Sequence, residues 1–167
     1  MSISGERGLN DREAFQLLLD NVRDYALFVL ATDGTIETWN AGVERVLGYQ
    51  EKDFVGQPFS IIFPTEDIAA GDPQREIQTA VANGRAEDER WHVQQSGKPF
   101  WASGVLTALR DDAGALRGFA KIMRDNTEPK LAEHGMHVGE LGRAIRVRDV
   151  AHVKDDGGFD DLFKGGA

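Results

Sequence analysis

Two carboxylates of this sequence are spaced so that they could act together as a catalytic acid and base. Glu87 and Glu89 lie two residues apart in a segment with strand-like composition, and side chains at that spacing share one face of a strand. A solvated pair on the surface of a sheet is the simpler interpretation. The patterns GxSxG, GxxxxGK[ST] and HExxH do not occur in the sequence. We therefore do not expect an enzyme.

A second candidate group lies near the C-terminus, where His134, His137 and Glu140 would share one face of a helix, as metal ligands sometimes do. Three polar residues of a linker are the simpler interpretation. His137 also lacks the Glu directly after it, and the Arg-Thr-Pro further on, that accompany kinase phosphoacceptor histidines. The sequence contains no cysteine, which excludes thiolate metal sites, disulfides and cysteinyl adducts with a cofactor. We expect no metal.

The charge of the chain argues against polyanionic partners. Its 167 residues include 28 acidic and 19 basic side chains, for a net charge of −9. Nucleic-acid binding and adsorption to anionic membranes both depend on an excess of Lys and Arg. The N-terminus "MSISGERGLN" lacks the apolar core of a signal peptide. We expect a soluble, cytoplasmic protein with one domain and extensions, since domains commonly have about 100–150 residues.

The first elements are a helix and a hairpin. Asn10 can cap a helix with Glu13 three residues later, and an apolar stripe at helical spacing follows, formed by Phe15, Leu18, Leu19 and Val22. In "ALFVLATDGTIETW", two runs typical of strands surround Asp33-Gly34, a strong hairpin signal. The sequence therefore predicts two adjacent antiparallel strands after an amphipathic helix.

Several short helices are predicted next. Asn40 can cap a helix that Gly48 ends, and "QEKDFVG" offers another turn or two. A longer helix begins near Asp72, with Ile77 and Val81 on its predicted inner face, and ends at Asn83-Gly84. Small helices in succession suggest a wall around an interior space.

Three long strand-like runs complete the domain: residues 87–95, 100–110 and 116–124, joined by the turns "QSGKP" and "DDAG". Strands and helices segregated in this way predict an α+β fold with helices over one face of an antiparallel sheet. In "FWASGVLTAL", apolar residues occupy both alternation phases. We therefore expect the outer face of the sheet to be covered as well, by the N-terminal helix or by a second subunit.

The segments "VLATDGTIETWNAGVERVLGYQEKDFVGQ" and "ERWHVQQSGKPFWASGVLTALRDDAGALRGFAKIMRDNTE", in this order and spacing, resemble the PAS family of sensory domains, of the bacterial sensory-box type found before histidine kinases. The resemblance implies a five-stranded antiparallel sheet in the order 2-1-5-4-3, with small helices enclosing a cavity against it. It also implies that a ligand in the cavity changes the sheet, which passes the change to a flanking helix.

Two cofactor classes of this family do not fit the sequence. In the light-oxygen-voltage branch, a Gly-x-Asn-Cys-Arg-Phe-Leu-Gln run holds the reactive Cys, and the matching run "GQPFSIIF" places Pro58 and Phe59 at the Asn and Cys. The flavin-amide positions fall at His92, Ala102 and Met123, none of which is the expected Asn or Gln. The haem branch uses a helix His that "DIAAGDPQREIQTAVANG" lacks. A non-covalent flavin, a small metabolite or a filled core remain open, and the cofactor is unknown.

Apolar residues with a few polar groups would line such a pocket. The candidates are Trp39, Phe59, Ile62, Ile77, Trp91, His92, Ala102, Phe119 and Met123. Polarity suggests that Trp91 and Val93 point inward, whereas the photoreceptor match turns His92 inward, and a one-residue shift exchanges the two faces. Lys121 is either exposed or faces the cavity, where it needs an acidic partner such as Asp88 or Glu89.

"RDNT" resembles the Asp-x-Thr ending of the family, which makes Asp125 and Thr127 candidate relay residues toward an output helix. Leu131, Val138 and Ile145 then form a faint heptad in a linker or signalling helix. We predict a disordered N-terminus (1–9), a flanking helix (10–24), a PAS domain (25–128), a linker (129–150) and a disordered acidic tail (151–167). The expected partners are a second copy of the chain and a downstream kinase or regulator.

Overall fold

The computed structural model describes residues 8–135. The helices are α1 (Asp11–Asn21), α2 (Ala41–Leu47), α3 (Glu51–Phe54), a 3-10 turn (Phe59–Ile62), α4 (Thr65–Ala69), α5 (Asp72–Asn83) and α6 (Thr127–Ala132). The strands are β1 (Ala26–Leu30), β2 (Arg85–Val93), β3 (Pro99–Arg110) and β4 (Leu116–Asp125), and all their pairings are antiparallel. The predicted α+β class is confirmed.

The sheet has four strands, so the expectation of five is wrong, and the observed order β1-β4-β3-β2 does not confirm the expected order 2-1-5-4-3 as a whole. The segment expected to form the second strand makes an isolated bridge between Leu30 and Ile36. Beyond this bridge, β1 is hydrogen-bonded by side chains: Thr38 Oγ1 accepts from the Val29 N–H (2.8 Å), and Asn40 Oδ1 accepts from the Leu27 N–H (2.9 Å). Because side-chain oxygens take the place of backbone carbonyls, no second ladder forms.

The helix ends follow the capping residues. Asn10 and Glu13 form the predicted capping box of α1. Asn40 Oδ1 accepts from the Val43 N–H (3.1 Å) at the start of α2, and Gly48, in the left-handed region at φ 78°, ends it. The starts of α1 and α2 and the end of α2 are therefore set by local sequence signals.

The main core lies between the sheet and the short helices. Phe28, Phe54, Phe59, Phe100 and Phe119 are all buried in it. From the interior face of the sheet, β4 contributes residues 119, 121 and 123, and β3 contributes residues 100, 102 and 106. The short helices between β1 and β2 thus close over this face of the sheet.

The outer face of the sheet and the apolar stripe of α1 are less covered. No residue of α1 is buried, and Phe15 and Leu18 are 50% and 54% exposed. On the outer face, Leu109 and Ile122 are exposed at 37% and 42%. The helix does not bury its predicted stripe within residues 8–135.

Parts of the predicted organisation fall outside this region. Most of the predicted N-terminal segment, the linker positions Val138 and Ile145, His137, Glu140 and the acidic tail lie outside the described residues. Across the described part of the chain, every helix is too short or too polar to cross a bilayer.

Candidate functional site

Four polar side chains lie together inside the domain, between α5 and the sheet. Glu76 comes from α5, Asp88 and His92 come from β2, and Lys121 comes from the middle of β4. Lys121 and His92 are fully buried, and Glu76 is 7% exposed. Because a buried charge is stable only with close partners, the contacts among these groups determine what the site can do. We call these four residues the buried cluster.

Lys121 is the centre of the buried cluster. Its Nζ donates to Glu76 Oε1 and, at 3.2 Å, to Asp88 Oδ2. The same ammonium lies 5.5 Å from the centre of the Phe59 ring, within the range of a cation–π contact. The cation therefore joins helix α5 to two strands of the sheet.

Gly104 makes room for this arrangement. It lies between Met123 of β4 and Asp88 of β2 in the register of the sheet. A Cβ atom at Gly104 would lie 3.2 Å from Cε of Lys121, which is a tight contact. The lysine chain thus crosses the sheet over the one residue in its path that has no side chain.

His92 has an acceptor at each ring nitrogen. Its Nδ1 lies 3.0 Å from the Ile62 carbonyl oxygen, and its Nε2 lies 2.8 Å from Asp88 Oδ2. His92 thus connects the 3-10 turn to β2 through its contacts with Ile62 and Asp88.

Arg90 extends the buried cluster toward the surface. Its guanidinium donates to Asp67 (3.1 Å) of α4 and to Asp72 (2.5 Å) of α5, and it lies 5.3 Å from the Phe63 ring centre. Its side chain is 27% exposed, so these ion pairs are partly screened. These ion pairs hold α4 and the start of α5 against β2.

The two carboxylates of the buried cluster respond to burial in opposite ways. Burial raises the pKa of Glu76, and the nearby charge of Lys121 offsets this only in part. Burial also acts to raise the pKa of Asp88, but the hydrogen bond and charge of His92, with the charges of Lys121 and Arg90, lower it to about 2. Glu76 Oε2 accepts no hydrogen bond from any described residue. Glu76 is therefore the carboxylate most easily protonated.

Asp88 is expected to give the domain a specific acid sensitivity. Its folded-state pKa of about 2 lies below the ordinary 3.8, so its stabilisation is complete above pH 3.8 and is lost as pH falls toward 2. The shift corresponds to about 2 kcal/mol. We expect the free energy of unfolding of Asp88→Asn, measured by chemical denaturation across this pH range, to fall less with acid than that of the wild type, by this amount.

The exposed Glu89 of the same strand offers the matched control for this experiment. Glu89→Gln should follow the wild-type pH curve, because an exposed carboxylate contributes little to stability. Equal acid-induced losses in the wild type and Asp88→Asn would contradict the assignment.

The structure brings most of the predicted pocket residues together. Phe59, Ile62, Ala102, Phe119 and Met123 are buried in the main core, and His92 lies beside Phe63 and Phe100. Ile77 and Trp39 are half-buried at its edge, and Trp39 Nε1 donates to the Tyr49 carbonyl (2.8 Å). These side chains pack against one another.

Trp91 lies on the opposite face, so of the two directions that the sequence left open it is His92 that points inward, and Trp91 does not line the predicted pocket. The alternation of β2 turns His92 inward and Trp91 outward, where its ring meets that of Trp101 edge-on at 5.6 Å. The polarity of the side chains does not indicate the inner face of β2. The polar Asp88 and His92 face inward because the buried cluster supplies their partners, whereas the apolar ring of Trp91 is buried on the other face. Glu87 and Glu89, the two carboxylates considered as an acid–base pair, are both exposed.

Sequence reasoning missed Glu76. The inner face of α5 was expected to present Ile77 and Val81, but Pro73, Glu76 and Ala80 are its buried residues, and Val81 is 39% exposed. The available signal was Lys121, which required an acidic partner if it faced inward. The helix that would supply this partner could not be read from periodicity alone.

The relay residues connect the sheet to α6. Thr127 Oγ1 donates to Asp125 Oδ1 and accepts from the Trp101 N–H (2.9 Å), while the Asn126 N–H donates to the Trp101 carbonyl (2.8 Å). Leu131 of α6 is fully buried, and Lys130 Nζ lies 4.4 Å from the Trp101 ring centre. The start of α6 is thus fixed to β3.

The domain thus combines an antiparallel sheet, short helices over one face, charged residues in its core and an exit segment bonded to the sheet. A family model described as PAS domain matches residues 24–128. The chain belongs to the PAS domain family, and the predicted resemblance is confirmed.

A curated protein is similar to this chain over most of the chain's length. The chain is 40% identical over 121 residues to "Two-component system protein A" of Emericella nidulans, covering 72% of this chain and 18% of that protein. The chain therefore spans about a fifth of the length of this curated relative.

Solved structures share the fold. The PAS domain of a protein from Colwellia psychrerythraea is 24% identical, with a TM-score of 0.64, covering 71% of this chain and 98% of that one. A domain of a sensory box sensor histidine kinase/response regulator from Geobacter sulfurreducens is 17% identical, with a TM-score of 0.57, covering 68% and 93%. At these identities the similarity establishes the fold.

Proposed function

We propose that this chain is a cytoplasmic sensory domain of a two-component system, which binds a small ligand in its core and signals through a flanking helix and a rearrangement of a homodimer to a kinase or regulator. The observation that carries the proposal is the pair of uncovered apolar surfaces, the α1 stripe and the outer face of the sheet. The two-component relative supports the signalling context. In this proposal the chain relays a signal and catalyses no reaction.

In this proposal, a groove on the outer face receives a helix from a second copy. The groove has a volume of about 350 Å³, and it is lined by apolar residues such as Val105 and Ile122 and by charged residues such as Arg85, Glu87 and Glu89. The 11 residues of α1 form a helix about 16 Å long. In a two-fold dimer each α1 would lie on the partner's sheet, so both exposed surfaces would be buried twice.

The core and the output segment are joined through the sheet. Lys121 faces the buried cluster, and its neighbour Ile122 faces the outer groove. Asp125 and Thr127, at the end of the same strand, anchor α6. A change inside the domain would therefore act on the dimer surface and on the exit helix through β4.

We expect Leu18→Glu to convert the dimer into a monomer, because a carboxylate in an apolar interface loses its hydration without gaining a partner. Light scattering coupled to size exclusion measures this directly. Gln16→Glu places the same charge on an exposed, polar part of α1 and should remain dimeric. A monomeric wild type, or a Leu18→Glu dimer of unchanged affinity, would contradict the proposal.

A second candidate function is a dimerisation and docking module whose core takes no ligand. It is favoured by the packing of the predicted lining residues against one another and against Lys121. The sequence-based proposal of a small ligand requires these side chains to move apart.

The two candidates are distinguished by purifying the protein from its natural host, denaturing it, and analysing by mass spectrometry any small molecule that it releases. A stoichiometric small molecule supports the ligand-binding sensor, and its absence supports the filled core. We expect a colourless protein, because Phe59 occupies the position of the flavin-reactive cysteine. Visible absorption typical of a flavin or haem would overturn this cofactor expectation.

A further inference from the structure

Lys121 contacts the interior of the domain as a bound ligand would. Its side chain is completely shielded from solvent and passes over Gly104 on the inner face of the sheet. Its ammonium meets Glu76, Asp88 and the face of Phe59. These contacts come from α5, β2 and the 3-10 turn, whereas Lys121 itself belongs to β4.

The groups around the ammonium form a recognition site for a primary amine. An ammonium has three donors, and two of them are used by Glu76 Oε1 and Asp88 Oδ2. The second oxygen of Glu76 is buried and accepts nothing from the part of the chain that the structure describes. An aromatic face near two carboxylates also attracts a cation. The site would hold a primary ammonium on a narrow alkyl chain.

We propose that the core of this domain is a binding site for a primary alkylammonium group and that its occupant is the protein's own Lys121. The covalent link gives the side chain a local concentration in the millimolar range or above, so free amines do not compete with it. This inference goes beyond the proposed signalling function, because it holds whether or not the domain dimerises.

The experiment removes the side chain of Lys121 and supplies a free alkylammonium ion in its place. Lys121→Ala removes three methylene groups and the ammonium, which together match n-propylammonium. In roughly 100 mM n-propylammonium chloride, we expect the melting temperature of Lys121→Ala to rise by about 4 °C over equal sodium chloride. The wild type, whose site is filled, should show no such difference.

Two further variants show where the amine binds. Lys121→Met fills the same volume with an apolar chain and should not respond to n-propylammonium. Adding Glu76→Gln to Lys121→Ala removes one carboxylate and should abolish most of the response. The uncharged 1-propanol should not stabilise Lys121→Ala.

The result remains decisive if Lys121→Ala does not fold in plain buffer. In that case n-propylammonium should restore its circular dichroism spectrum to that of the wild type in a saturable manner, and sodium chloride should not. The inference is overturned if n-propylammonium neither stabilises nor refolds Lys121→Ala. It is also overturned if Lys121→Met responds equally. Neither outcome depends on the oligomeric state measured for α1 variants.

Discussion

Replacement of Lys121 by methionine is expected to lower the free energy of unfolding by about 3–5 kcal/mol, because it removes one partner from a buried ion pair. Methionine has a similar length and leaves little cavity, so the loss reports the uncompensated charges of Glu76 and Asp88. Equilibrium denaturation at neutral pH measures it.

The response of this variant to pH should identify the cause. Burial already raises the pKa of Glu76, and removing the nearby ammonium raises that pKa further. A group with a raised folded-state pKa gains stability as pH falls through that pKa, so part of the loss should disappear under mildly acidic conditions. Adding Glu76→Gln to Lys121→Met should restore stability at neutral pH.

Lys52→Met provides the matched control, since this lysine is exposed in α3. We expect a change within about 0.5 kcal/mol for this surface substitution. A loss below 1 kcal/mol for Lys121→Met would show that the buried cluster does not hold α5 to the sheet.

Gly42→Ala is expected to destabilise the domain by roughly 3 kcal/mol, at the upper end of the range for an overpacked site. A Cβ atom at Gly42 would lie 1.7 Å from the carbonyl oxygen of Tyr25, which cannot be accommodated without moving α2 away from β1. The same region is tied by Asn40 Nδ2, which donates to the carbonyls of Val22 (2.9 Å) and Tyr25 (3.0 Å).

The sign of this effect separates tertiary contact from helix propensity. Propensity alone predicts that Gly→Ala inside a helix stabilises by about 1 kcal/mol. The close approach to Tyr25 predicts the opposite. The melting temperatures of Gly42→Ala and Ala41→Gly distinguish the two effects. Ala41→Gly changes the helix propensity of the neighbouring position and serves as the reference for propensity alone. An unchanged or higher melting temperature for Gly42→Ala would rule out the close contact.

Local signals were sufficient for most of the fold. Asn10, Asn40 and Gly48 act at helix ends, where one side chain or one backbone angle decides the structure. Long strand runs separated by turns predicted the three-stranded meander. The missing strand was mispredicted because Thr38 and Asn40, which resemble turn residues in sequence, hydrogen-bond directly to β1.

The buried cluster could be predicted only in part. The sequence left the direction of Lys121 open and named Asp88 as a candidate partner if the lysine faces inward, and the structure pairs the two. Glu76 lies 45 residues away in sequence, and no short-range pattern relates a helix surface to a strand at that distance. The face of His92 was equally open, because one step of register reverses it.

The bonding of Trp101 has a mechanical consequence. Its N–H donates to Thr127 and its carbonyl accepts from Asn126, so the start of α6 is hydrogen-bonded to the β2–β3 hairpin. The six residues of α6 extend about 9 Å, and a turn of about 10° at their root swings the far end by roughly 1.5 Å. Because α6 is bonded to the sheet at its first turn, a change of sheet twist by this angle would move Ala132 by the same distance.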